Sequence, residues 1–167
     1  MTASRLPTVV VADAATLLPL RAAVLRPGQP PQAADYPEDS LASTVHLAAL
    51  DDHGAVVGCA TFFPDPYPED PARAAWRLRG MATAEQVRGQ GIGTALLRAG
   101  LEAAAEAGAE LVWCNGRTSA LGFYRGMGFA AEGAEFVSTA TGIPHYRMWR
   151  WVHRGEIWAE PGRSGSN

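Results

Sequence analysis

The stretch that most constrains this chain is VRGQGIGTALL, residues 87–97, where Gly89, Gly91 and Gly93 alternate directly ahead of a helix-forming run. Glycine disfavours helix by about 1 kcal/mol relative to alanine, so three of them at a helix entrance oppose local stability. The expected compensation is close approach of a ligand to the backbone. A helix's first turn exposes free N–H groups and the positive end of the macrodipole, and glycine removes the Cβ atoms that would hold an anion away. Arg88 adds a charge-assisted contact at the rim. Neither common nucleotide loop fits. A P-loop needs a lysine, and all 14 Lys/Arg positions of this chain are arginine. A GxGxxG fingerprint fails at Thr94 when counted from Gly89 and at Leu96 when counted from Gly91. Read alone, the glycines also fit a tight strand-to-helix turn with no ligand.

A chain of 167 residues is the size of one domain with a full core, and 47% hydrophobic with 19% charged residues fits a soluble globular protein. The net charge of −3, without basic clusters, argues against a nucleic-acid partner. No stretch approaches the roughly 20 apolar residues of a membrane span. The opening MTASRLPTVVVADAA lacks the layout of a secretory signal, so a cytoplasmic location is expected. Cys59 and Cys114 each sit in an apolar run, without partners at ligand spacing; they read as buried thiols, and no metal site is expected.

Residues 6–12 read as a strand and Ala14 to Leu25 as a helix, followed by a proline-rich loop (26–40) with a short helix after Pro37. Two strands, 43–50 and 55–63, are joined by the hairpin signal DDHG, with Gly54 free to take positive φ. A second proline-rich loop, PDPYPEDP (64–71), leads into a longer strand, 73–83. A helix over 93–108, a buried strand over 110–115 and a short helix over 118–127 capped by Thr118 or Ser119 come next. GFAAEGAEFV and HYRMWRWV (145–152) close as strands, and the tail EPGRSGSN (160–167) is expected to be mobile. The order implies a mixed α/β sheet with helices on both faces. One domain over 1–153 and a tail over 154–167 are expected.

Arg88-Gly89-Gln90-Gly91-Ile92-Gly93 fits the [Q/R]xxGx[G/A] signature, and GFYRGMGF (122–129) fits a helix carrying tyrosine followed by Gly-Phe entering a strand. Both landmarks, at this separation, resemble the GNAT superfamily of N-acetyltransferases. The close match covers roughly 73–131, and the element order over about 6–152 agrees. The resemblance implies a mostly antiparallel central sheet and an acetyl transfer from acetyl-CoA in a ternary complex, with no metal. It implies that the backbone around Arg88, Gly89, Gln90, Gly91, Ile92, Gly93 and Thr94 holds the pyrophosphate. The strand at Met81, Ala82 and Thr83 would run beside the pantetheine arm, and an N–H at Met81 or Ala82 would polarise the thioester carbonyl. Tyr124 would protonate the departing thiolate. The family often places an asparagine seven residues before the tyrosine; here that position is Arg117, and either Asn115, two residues earlier, substitutes from a shifted loop or the contact is absent.

The base that deprotonates the amine is sought among His145, His46, Glu85, Glu69 and Asp70, with His145 the first choice because a strand enters the sheet there. Arg77 and Arg79 share one strand face and suit a carboxylated acceptor, or else pair with nearby carboxylates. Tyr36 and Tyr67, in the stiff proline-rich loops, are the other expected acceptor walls. These features point to a small-molecule amine as acceptor. Trp149, Trp151 and Trp158 suggest a subunit contact, hence a homodimer, if they are exposed. A catalytically silent acyl-CoA sensor or interaction module is the alternative, disfavoured by the presence of Tyr124; transfer of a longer acyl group is a third reading.

Overall fold

The computed structural model describes residues 7–158. Strand β1 (Thr8–Ala12) runs straight into helix α1 (Ala14–Leu25), whose first turn is capped by Asp13 accepting from the Thr16 backbone N–H at 2.8 Å. The proline-rich stretch after it contains two 3₁₀ turns, Pro31–Ala34 and Pro37–Ser40. Each opens on a proline, whose fixed φ suits a first helical position. Strands β2 (Val45–Leu50) and β3 (Val56–Pro64) form the expected hairpin, with Gly54 at φ 78°. Then follow β4 (Ala75–Thr83), α2 (Ile92–Glu106), β5 (Leu111–Arg117), α3 (Leu121–Gly126), β6 (Ala130–Val137) and β7 (Pro144–Trp151).

The seven strands form one sheet in the order β1-β2-β3-β4-β5-β7-β6. Every neighbouring pair is antiparallel except β4 and β5, which the α2 crossover makes parallel. Alternation along β2 and β3 divides the core between two faces. Ala48 and Cys59 pack with Leu17 of α1, whereas Leu47, Ala49, Ala60 and Phe62 pack with Leu96, Leu97 and Leu101 of α2. The two helices therefore cover opposite faces. Helix α2 lies very close to the sheet, because a Cβ at Gly100 would stand 2.0 Å from the Phe62 ring.

Three details differ from the sequence expectation. The helix read over 118–127 is a 3₁₀ turn, Thr118–Ala120, followed by α3. Neither Thr118 nor Ser119 caps it; the Thr118 hydroxyl donates instead to Glu135 at 2.9 Å. Strand β5 runs on to Arg117 because β7 keeps pairing with it that far. The first residues of the expected tail lie against α2, with Arg154 donating to the Glu106 carbonyl at 3.0 Å and the Trp158 indole to Glu102 at 3.3 Å. Leu6 of the expected first strand and residues 159–167 lie outside the described residues.

Candidate active site

The parallel pair is the origin of the site. Strands β4 and β5 pair only over Ala75–Arg77 and Leu111–Trp113. Beyond that β5 pairs with β7 alone, so the facing edge of β4 has no strand partner. β4 also carries a bulge against β3: Thr61 faces Arg79 and Cys59 faces Ala82, so Ala60 alone opposes both Gly80 and Met81. Gly80 takes φ +64° there, and a Cβ on it would stand 2.8 Å from Arg21 Nε. The extra residue flips side-chain alternation. Arg77 and Arg79 point away from the α2 core that holds Leu78, but Ala82 returns to the α1 side and Met81 turns toward Tyr124. The result is a cleft of about 230 Å³ between the diverging strands.

Tyr124, from α3, lines this cleft and is 6% exposed, its ring edge-on to Phe123 and Phe129. Its hydroxyl points to the Met81 sulfur at 3.8 Å. Burial, reinforced by the neighbouring Cys114 thiol, raises its pKa well above the ordinary phenol value, so it stays protonated at any working pH. Asn115 also lines the cleft, and its Oδ1 is a buried acceptor without a partner among the described residues. Such an atom costs free energy until a donor reaches it. A pantetheine amide N–H is a donor of the right kind, so the chemistry of this site fits acetyl-CoA.

The glycine segment stands at the start of α2. Gly89 and Gly91 have φ of +79° and +82°, with open space where a Cβ would sit, and Gly91 is the N-cap. No side chain caps this end, no acidic residue lies in its first turn, and the first intrahelical bond runs from Ala95 to the Gly91 carbonyl. The amides ahead of it are therefore available to an anion. Gly93 is ordinary in φ; its missing Cβ faces Phe123 at 3.4 Å and Thr83 Oγ1 at 3.9 Å, which joins the end of β4 to the helix start. Ile92 is buried in the core, Thr94 is half-buried, Gln90 is exposed, and Arg88 donates to the Thr83 carbonyl at 3.4 Å.

The other expected residues divide. His145 lines the cleft, its Nδ1 2.7 Å from the Ile143 carbonyl and its ring stacked on Phe136. Arg77 and Arg79 line it too, but each holds a carboxylate, Asp65 at 3.4 Å and Glu38 at 3.2 Å. Tyr36 lines the cleft under Arg79, while Tyr67 is buried against Trp113 and Trp149 elsewhere. His46 is fixed between Thr61 and the Asp39 carbonyl, Glu69 holds Arg147, Asp70 holds Arg73, and Glu85 is exposed beside the glycine segment. Sequence reasoning missed Arg21, fully buried on Asp39 (2.7 Å) and Thr61 (2.6 Å), because a mid-helix arginine gives no sign of partners so distant in the chain. It also missed Arg26 and the β6–β7 residues Ser138 and Thr141 in the cleft wall. Among the described residues no group of three or more His, Cys, Asp or Glu side chains could hold a metal ion.

Residues 16–129 match the family model described as the acetyltransferase (GNAT) family, well over half of the chain. The chain belongs to the GNAT family. It is an acetyl-CoA-dependent acyltransferase. A relative, the uncharacterized N-acetyltransferase YitI of Bacillus subtilis, is 36% identical over 117 residues, 70% of this chain and 78% of that protein. The fold matches a crystal structure described as a putative N-acetyltransferase from Lactobacillus plantarum with a TM-score of 0.72 at 18% identity, covering 89% of this chain and 99% of that one. An aminoglycoside 6'-N-acetyltransferase complexed with coenzyme A matches at 0.71 and 15% identity, over 89% and 99%. These likenesses establish the GNAT fold, a mixed and mostly antiparallel sheet flanked by helices.

Proposed function

We propose that this enzyme moves the acetyl group of acetyl-CoA to a primary amine of a small molecule by direct attack in a ternary complex. The observation that carries the reading is Tyr124: a protonated hydroxyl on the wall of the cleft where β4 and β5 part. The uncapped start of α2, from Arg88 to Thr94, holds the pyrophosphate, and Asn115 Oδ1 accepts from the pantetheine arm. The free edge of β4 at Met81, which lines the cleft, offers a backbone N–H to the thioester oxygen as negative charge grows on it, while the Ala82 N–H is taken by the Cys59 thiol. His145 takes the amine proton: with Nδ1–H donating to the Ile143 carbonyl, the neutral ring keeps its Nε2 lone pair for the cleft. Tyr124 then gives its proton to the leaving thiolate.

In Tyr124→Phe, kcat should fall about 100-fold, with coenzyme A affinity by calorimetry unchanged. Full activity in that variant would remove Tyr124 from the mechanism. The stiff loop carrying Tyr36 favours a small acceptor over a long peptide. A cytoplasmic location and residues 1–153 as one catalytic unit complete the proposal. A homodimer is also part of the proposal, supported by the exposure of Trp151; Trp149 packs on Tyr67 and contributes less.

A further inference from the structure

Among the described residues, two arginines of the cleft wall hold no carboxylate. Arg26, at the C-terminal end of α1, and Arg117, at the end of β5, both donate to the Leu25 carbonyl, at 2.9 and 3.3 Å. Neither forms an ion pair among the described residues, in contrast to Arg77 with Asp65 and Arg79 with Glu38. Each uses one nitrogen on that shared oxygen, both residues line the cleft, and among the described residues neither has a fully buried nitrogen left without a partner. Two half-buried guanidiniums drawn to one carbonyl repel each other, and burial with the charges of Arg26 and Arg88 holds the Arg117 pKa below its ordinary value. An anion bridging them would relieve both terms.

We propose that Arg26 and Arg117 bind a carboxylate of the acceptor, so that the acceptor is an amino acid or a similarly anionic amine. This rests on the acetyl-transfer reading above. The register makes the assignment specific. Arg117 stands directly opposite His145 across β5 and β7, and such partners share a sheet face. A carboxylate on Arg117 therefore brings an amine one carbon away to the base. The phosphates of coenzyme A are the competing source of negative charge. They belong to the α2 start, and none of Arg88 to Thr94 lines this cleft, whereas Tyr36, His145 and Thr141 do.

The test compares amino acids with their carboxamides as acceptors, in the wild type and in Arg26→Gln and Arg117→Gln. The wild type should prefer the carboxylate, and each variant should raise the acceptor KM about 10- to 100-fold with the acetyl-CoA KM unchanged, which also certifies folding. A rise in the acetyl-CoA KM instead would assign the arginines to the cofactor phosphates and overturn the proposal, as would equal turnover of acid and amide by the wild type. Calorimetric titration of the same amino acids, with coenzyme A present, separates the two readings. Carboxylate binding that Arg117→Gln abolishes, without turnover of any amine, would keep the anion site and sink the transfer reading.

Discussion

Burial pushes the Cys59 thiol up to about 11 and the Cys114 thiol up to about 12, and it holds the Tyr124 hydroxyl higher than an ordinary phenol. All three groups are neutral in the folded protein where their unfolded counterparts ionise, from about pH 9 upward. Through that window the unfolded chain binds fewer protons than the native one, so stability falls as pH rises, by up to about 1.4 kcal/mol per pH unit for each group. Thermal melts should show a midpoint that falls steadily above pH 9; a midpoint unchanged up to pH 11 would contradict the burial described. Tyr124 was legible in the sequence because GFYRGMGF is a local pattern. Arg117 was legible only as a departure from that pattern. Its meaning depends on Arg26 and on a shared carbonyl 92 residues away in the chain, which no local pattern encodes.

At the level of elements, the glycines of α2 serve two different ends. Gly91 is the N-cap, held at φ +82° with nothing near the place of its Cβ, so its demand is conformational. Gly100 has the opposite demand, a Phe62 ring 2.0 Å from where a Cβ would stand. Gly91→Glu should leave the fold standing, with a strain of about 1–2 kcal/mol, and abolish coenzyme A binding by placing a carboxylate at the proposed pyrophosphate site. Gly100→Ala should lower stability by about 1–3 kcal/mol through overpacking and leave coenzyme A affinity in the surviving fold unchanged. Denaturant unfolding and calorimetry together check both, and a Gly91→Glu protein that still bound coenzyme A would move the pyrophosphate site elsewhere. The sequence announced the glycine segment because three alternating glycines are rare at a helix start. It did not announce Gly80, a single glycine inside a strand, whose bulge becomes visible only when β3 is laid beside β4.

For the molecule as a whole, the cleft follows from one topological fact, the parallel β4–β5 pair inside an otherwise antiparallel sheet. Parallel neighbours that separate beyond Arg77 and Trp113 open a cleft through the middle of the sheet. There α3 presents Tyr124 while β7 and α1 present His145 and Arg26. The strand and helix order was readable from periodicity and turn signals, and with it the fold class. The divergence of two paired strands was not, because it depends on where hydrogen bonding stops rather than on which residues are apolar. The most direct test of the account is the release of coenzyme A thiol from acetyl-CoA by the wild-type protein, measured against a panel of amino acids, their carboxamides and neutral amines. The account predicts release that depends on the amine and is fastest with carboxylated amines. Release with none of them would contradict it.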